Sequence, residues 1–270
     1  MKNLLRCTIP AAIFFTIACN KTESSAPLQS SSVDDISGLS NNLVAWYTFN
    51  GDILDHSNYG NNIDFNNATP TAGRSGVANT AYYFDGATSY MTVPGSAESL
   101  SPKHQITLAA VIKPMGFYEG ECHANRIIDK GDDDTPGAYY LSFDDAAYYN
   151  YDQCDKPVID TAENFYGVFG NAPNNVSARD KDYLKVNKWY TIVFTVDSNK
   201  VGRLYVNNVL KATQPNTAAH FSSNPLDLYI GRMIRSDYPF WFHGIIDEIR
   251  IYNKALDVNG VAGLTQDMAK

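Results

Sequence analysis

The chain has 270 residues, 44% of them hydrophobic and 13% aromatic, with 21 Lys and Arg against 29 Asp and Glu and a formal charge of −8. An acidic chain without a basic run is a poor partner for nucleic acid or for an anionic membrane surface, since both require a positive face; a neutral ligand, a cation or a basic partner suits it better. Of the acids 23 are Asp and only 6 are Glu, a bias toward residues that build turns and that offer hard oxygen ligands to Ca2+.

Residues 1–18 read as a leader rather than as part of a fold. Lys2 and Arg6 precede an apolar run, Cys7 to Ile17, that is too short to span a bilayer. Thr16-Ile17-Ala18-Cys19 resembles a bacterial lipobox, which implies that Cys19 is the lipidated first residue of an exported, outer-membrane lipoprotein facing the periplasm or the cell exterior. Thr16 stands where Leu is usual, and an ordinary secretory signal is the alternative. Loss of Lys2 and Arg6 with the leader would take the charge to −10. Residues 19–41, with Ser24, Ser25, Ser30, Ser31 and Ser32 beside Pro27, have almost nothing apolar to bury and read as a tether. The folded domain is then 42–266.

That domain reads as short strands divided by turn chemistry, with almost no helical periodicity. Leu43 to Phe49 is an apolar, aromatic strand. Tyr82 to Phe84 runs into the turn Asp85-Gly86, and Tyr90 to Val93 follows. Ile106, Leu108, Ala110 and Ile112 alternate until Pro114 stops the strand. Tyr139, Leu141 and Phe143 alternate, as do Tyr190, Ile192, Phe194 and Val196. Leu204 to Val206 and Val209-Leu210 flank Asn207-Asn208, two residues that tolerate positive φ and predict a type I′ hairpin. Leu226, Leu228 and Ile230 end at Gly231. The one helical stretch is short, around Asp257 to Leu264. With Gly244 to Leu256, ten short strands predict an all-β, two-sheet antiparallel sandwich or jelly roll.

Cysteine use agrees with export. With Cys7 lost and Cys19 lipidated, Cys122 and Cys154 remain. An isolated pair in an oxidising compartment predicts one disulfide, with two thiols or a metal pair as alternatives.

The segment Gly244 to Leu256 holds a carboxylate in an awkward place. Read as a regular strand, Ile245, Asp247, Ile249 and Ile251 share one face, which puts Asp247 among isoleucines. A buried charge needs a partner. Two are open to Asp247: a metal ion, or hydrogen bonds from backbone N–H groups or an arginine such as Arg74.

Four segments in order resemble the laminin-G-like, concanavalin A-like jelly-roll family in its bacterial lectin-like branch. They are Trp46 to Gly51 with Asp55 to Asn62, Tyr83 to Gly86 with Tyr90, Trp189 to Val196 with the Leu204 to Leu210 hairpin, and Gly244 to Leu256. Asn58 and Ser89 stand where the family often has Gly and Asp. The resemblance implies a concanavalin A-like jelly roll and a structural Ca2+ between the amino-terminal loop and the last strand. Asp55 and Asp247 are the ligands it implies, with backbone carbonyls near Gly60 and the Asp85 turn completing the shell.

Carbohydrate sites combine aromatic faces with hydrogen-bonding groups. Tyr148, Tyr149 and Tyr151, beside Asp144, Asp145 and Asp152, form one aromatic cluster; Trp241, within Tyr238-Pro239-Phe240-Trp241-Phe242, marks another. These four aromatics are the candidate ligand contacts of a non-catalytic, lectin-like module for a glycan or cell-surface ligand. A protein-binding or adhesion module working with other surface proteins is the second reading. A glycoside hydrolase is the third; it needs two carboxylates flanking the scissile bond, and no Glu-x-Asp-x-x-Glu run occurs in the chain.

Overall fold

The computed structural model describes residues 38–120, 123–144 and 163–270. All of these lie within one compact unit, Val33–Lys270. The expected two-sheet antiparallel sandwich is what the chain forms. The first sheet runs β13 (Val209–Pro215), β12 (Val201–Val206), β11 (Tyr190–Val196), β6 (Ile106–Pro114), β15 (His243–Tyr252), β4 (Ala81–Asp85) and β3 (Thr69–Thr71), with β1 (Leu43–Tyr47) also paired to β15. The second runs β10 (Val176–Arg179), β9 (Asn164–Phe169), β8 (Tyr139–Asp144), β7 (Asn125–Lys130), β14 (Leu228–Ile230), β5 (Met91–Val93) and β2 (Phe65–Asn66).

Alternation along β6 shows how the sequence divides its faces. Ile106, Leu108, Ala110 and Ile112 point into the core between the sheets, where they meet Phe84, Phe143, Phe194 and Phe242. Ala109 and Val111 point the other way and are covered as well. Their cover includes helix α1 (Val258–Asp267), which lays Val261 and Leu264 on the outside of the first sheet. Asp257 caps this helix, its Oδ1 accepting a 2.9 Å bond from the Gly260 N–H. The Asn207-Asn208 turn is as expected: φ is 50° and 63°, positive at both central residues, and β12 pairs with β13 across it.

The regular reading of the last strand is corrected by the structure. A β-bulge lies between Ile246, opposite Ile112, and Glu248, opposite Val111, so Asp247 is the extra residue. Before the bulge Phe242 and Ile246 face the core, and after it Ile249 and Ile251 do. Ile245 lies outside that core and is half-exposed. Asp247 is therefore not a core-side carboxylate. It sits where β15 changes its partner on one edge from β4 to β1.

Strands β7 and β9 are absent from the sequence reading, for a physical reason. Every residue of β7 and β9 is buried, so both faces are covered and period-2 alternation is erased. The polar groups Asn125, Arg126, Asp129, Lys130, Asn164 and Glu163 lie among the buried ones and interrupt the apolar runs that mark a strand.

Candidate functional site

An aromatic platform forms on the outer face of the second sheet. Three neighbouring strands build it in register: Phe65 of β2 is opposite Thr92 of β5, and Thr92 is opposite Tyr229 of β14. Met91, Val93, Leu228 and Ile230 point inward on the same strands and fill the core, which forces Thr92 and Tyr229 outward. Tyr90, just before β5, lies between the rings. Its centroid is 4.7 Å from Phe65 and 6.0 Å from Tyr229, the latter nearly parallel at 18°.

The segment between β14 and β15 supplies the rest. Phe242 N–H donates to Gly231 O at 2.9 Å and Met233 N–H to Pro239 O at 2.7 Å, which sets Arg232 and Trp241 side by side. Gly231 is required there: its φ is 86°, and a Cβ would lie 2.3 Å from the Phe84 ring. Phe242 enters the main core, whereas Phe240 packs with Ala124 and Met233 in a smaller cluster. Trp241 stays half-exposed, its ring 6.0 Å from Tyr90. The Arg232 guanidinium sits over three rings, at 4.5 Å from Trp241, 5.2 Å from Tyr90 and 5.8 Å from Tyr229.

The polar tips of this platform are unengaged. Among the described residues, Tyr90 Oη, Tyr229 Oη and Trp241 Nε1 have no hydrogen-bond partner, yet none of these atoms is buried. Burial of the ring pushes the Tyr229 hydroxyl pKa up, aided by Asp227 and opposed by Arg232, so it is a neutral donor at ordinary pH. Phe65, at 42% exposure, forms the open edge.

A second concavity surrounds the bulge. It is a cleft of about 320 Å³ lined by Trp46, Arg74, Asp247, Glu248, Arg250 and Lys270 among others. Its charges are cross-linked. Arg74 N–H donates to Asp247 Oδ2 at 2.8 Å, and the Arg74 guanidinium lies 3.7 Å from both Asp247 and Glu248. Glu248 Oε1 accepts from Trp46 Nε1 at 2.8 Å and from Arg250 Nε at 2.7 Å. Arg250 also reaches Asp267 at 2.7 Å, and Asp267 takes Lys270 at 2.8 Å. Burial pushes the Asp247 pKa up; the Arg74 backbone N–H and guanidinium oppose this, and Glu248 adds to it. Three cations and three carboxylates satisfy one another here and tie α1 to β15. Of the two partners open to Asp247 in the sequence, Arg74 is the one it meets.

The carboxylates expected at a calcium ion are likewise engaged. Asp55 Oδ1 accepts from the N–H groups of Trp46 and Ser57, both at 2.8 Å, and Oδ2 from Ser57 Oγ and Asn61 N–H, both at 2.7 Å. Asp85 accepts from the N–H groups of Ala87, Thr88 and Ser89 and from Thr88 Oγ1. Burial pushes the Asp85 pKa up, but these bonds together outweigh it and hold the carboxyl well below its ordinary range. Among the described residues no three His, Cys, Asp or Glu side chains are placed to share an ion, and Ca2+ takes 6–8 oxygens. Hydrogen bonds from the protein's own groups hold these loops. Excess chelator should leave the melting temperature unchanged; a fall of several degrees that added Ca2+ reverses would show a cation site.

Of the expected ligand contacts, the structure places Trp241 on the platform. Tyr148, Tyr149 and Tyr151, the Cys122 and Cys154 pair and Cys19 lie outside the described residues. Phe65, Tyr90, Tyr229 and Arg232 escaped the sequence reading. Their signal was an aromatic at the outward position of a strand, Tyr229 between Leu228 and Ile230.

The laminin-G family model described as the concanavalin A-like lectin/glucanases superfamily matches residues 84–262. The chain belongs to that superfamily. Solved structures agree on the concanavalin A-like fold. Domain 4 of AbnA, an extracellular arabinanase of Geobacillus stearothermophilus solved with arabinotriose, is 21% identical with a TM-score of 0.56, covering 83% of this chain and 98% of that one. The binding domain of Paraclostridial Mosquitocidal Protein 1 is 16% identical, with a TM-score of 0.63, and covers 85% and 53%. A botulinum neurotoxin type C structure, titled for cell entry dependent on two ganglioside molecules, is 11% identical, with a TM-score of 0.59, and covers 86% and 52%. This chain thus spans about half the length of the two toxin chains. At these identities the likeness is one of fold. Among curated protein sequences none matches the chain.

Proposed function

We propose that this concanavalin A-like domain is a carbohydrate-binding module whose ligand lies on the platform of Phe65, Tyr90, Tyr229 and Trp241. The observation that carries the reading is the coincidence of rings and unengaged polar tips on one sheet face. A sugar ring has apolar C–H patches and a rim of hydroxyls. Rings with one apolar face and one polar tip match both, and a few convergent polar groups in an apolar setting fix orientation. A half-exposed aromatic cluster is also costly to leave in water without a use. Arabinotriose on the similar arabinanase domain and gangliosides with the similar toxin support the same class of ligand.

A glycan array followed by calorimetry on the strongest binder tests this. Tyr229→Ala and Trp241→Ala should each weaken binding by about tenfold or more, the loss expected for a central aromatic contact. Both side chains are partly exposed, so the variants should keep the wild-type melting curve to within a few degrees. Absence of glycan binding, or binding that neither substitution weakens, overturns the proposal.

A further inference from the structure

We infer that the platform selects anionic glycans, those bearing a carboxylate or sulfate, and that Arg232 is the selecting residue; this rests on the carbohydrate-binding reading above. Arg232 differs from every other described arginine. Arg74, Arg126, Arg179, Arg203, Arg235 and Arg250 each form an ion pair with an Asp or Glu. Arg232 forms none, although acids outnumber bases in the chain by 29 to 21. Its charge is balanced only by the faces of three rings.

The guanidinium is also fixed in place. Its Nε donates to Met233 O at 2.8 Å and its Nη2 to Arg235 O at 2.9 Å. Nη1 has no partner among the described residues and is not buried. The side chain therefore loses little conformational entropy when Nη1 binds an acceptor, which favours a strong contact with a localised negative charge. A neutral hydroxyl would gain only an ordinary hydrogen bond. Two carboxylates that flank the platform strands have partners of their own: Asp64 Oδ1, beside Phe65, accepts from Thr92 Oγ1 at 2.7 Å and Asp227 Oδ1, before β14, from the Gly95 N–H at 2.7 Å. The overall negative charge does not forbid an anion, because at physiological salt distant surface charges are screened beyond about 8 Å.

The test is an array in which uronate-bearing, sialylated and sulfated oligosaccharides stand beside their neutral parents. The native protein should prefer an acidic member over its parent by about tenfold, the worth of one charge-assisted hydrogen bond. That preference should weaken as salt rises, while neutral binding should not. Arg232→Gln should abolish the preference and leave weak binding of the neutral parent. Arg232→Lys keeps the charge without the fork and should retain part of it. Because Arg232 also braces its loop, the salt series on the native protein stands as a test without any substitution. Equal binding of acidic and neutral partners, or a preference that survives Arg232→Gln, overturns the role of Arg232 and leaves the platform. Failure of every glycan to bind overturns the platform as well.

Discussion

Arg126→Met should lower the unfolding free energy by roughly 3–5 kcal/mol, the range expected when one member of a buried ion pair is removed. Arg126 is buried at 2% exposure and Asp129 at 0%, and the Arg126 Nε lies 3.2 Å from Asp129 Oδ2. The guanidinium rests 3.6 Å from the Tyr140 centroid, and its Nη1 donates to Tyr166 Oη at 2.9 Å. Burial alone would lower the Arg126 pKa, but Tyr166, Tyr140 and Asp129 together hold it above the ordinary range, so it stays charged. Burial pushes the Asp129 carboxyl up, and Arg126 is the first influence holding it down. Methionine fills much of the arginine stem's volume, so the expected loss comes from an uncompensated carboxylate rather than from a cavity.

Two further measurements separate that cause from lost packing. Asp129→Asn in the Arg126→Met background keeps an acceptor for the Ile234 N–H, which now reaches Asp129 Oδ1 at 3.3 Å. It should recover at least half of the loss. The pH dependence has a definite sign. Burial already holds the folded-state pKa of Asp129 at about 7, above its unfolded value near 4, and without Arg126 it rises further, so the variant's folded form binds the extra proton over a wider range and gains more stability as pH falls. The penalty of Arg126→Met should be larger at pH 8 than at pH 5. A penalty independent of pH and untouched by Asp129→Asn would mean that packing on Tyr140 and Phe240 is what Arg126 supplies.

The same cluster shows where a sequence stops being readable. Strands with strict apolar spacing at every second residue, such as β6 and β11, were legible because alternation survives in their sequence. Strands β7 and β9 were not, because polar and charged groups that are satisfied inside the protein look, in one dimension, like a loop. The site behaves similarly. Trp241 drew notice as one of a run of aromatics. Tyr229 and Phe65 are single rings on a three-residue and a two-residue strand, and Tyr90 and Arg232 lie just outside strands. Only the register Phe65–Thr92–Tyr229 and the loop closed by Gly231 and Phe242 bring them together. Their separation along the chain hides a patch that pairing creates.

Asp247 carries the second large prediction, a pair of single-residue deletions in one strand. Removing Asp247 takes out the bulge residue itself. Ile246 stays opposite Ile112, Glu248 opposite Val111 and Ile249 opposite Ala110, so every side chain keeps its face. The loss should be limited to the bond from the Arg74 N–H and the ion pair, about 1–3 kcal/mol, with cooperative unfolding retained. Removing Ile249 has the opposite consequence. Arg250 would move opposite Ala110 into the core, Ile251 would turn outward and Tyr252 inward, because a one-residue slip exchanges the faces of a strand. An unpaired arginine among Ile112, Leu108 and Phe194 exceeds what a domain of ordinary stability, about 5–15 kcal/mol, can absorb, and this variant should show no cooperative transition by calorimetry. If instead the Asp247 deletion unfolds the protein, the residue is an obligatory part of the strand and the bulge is not what reconciles Ile246 with Ile249. If both deletions fold, the Arg250–Glu248–Trp46 contacts, and not the parity of the isoleucines, set the register of β15 against β6.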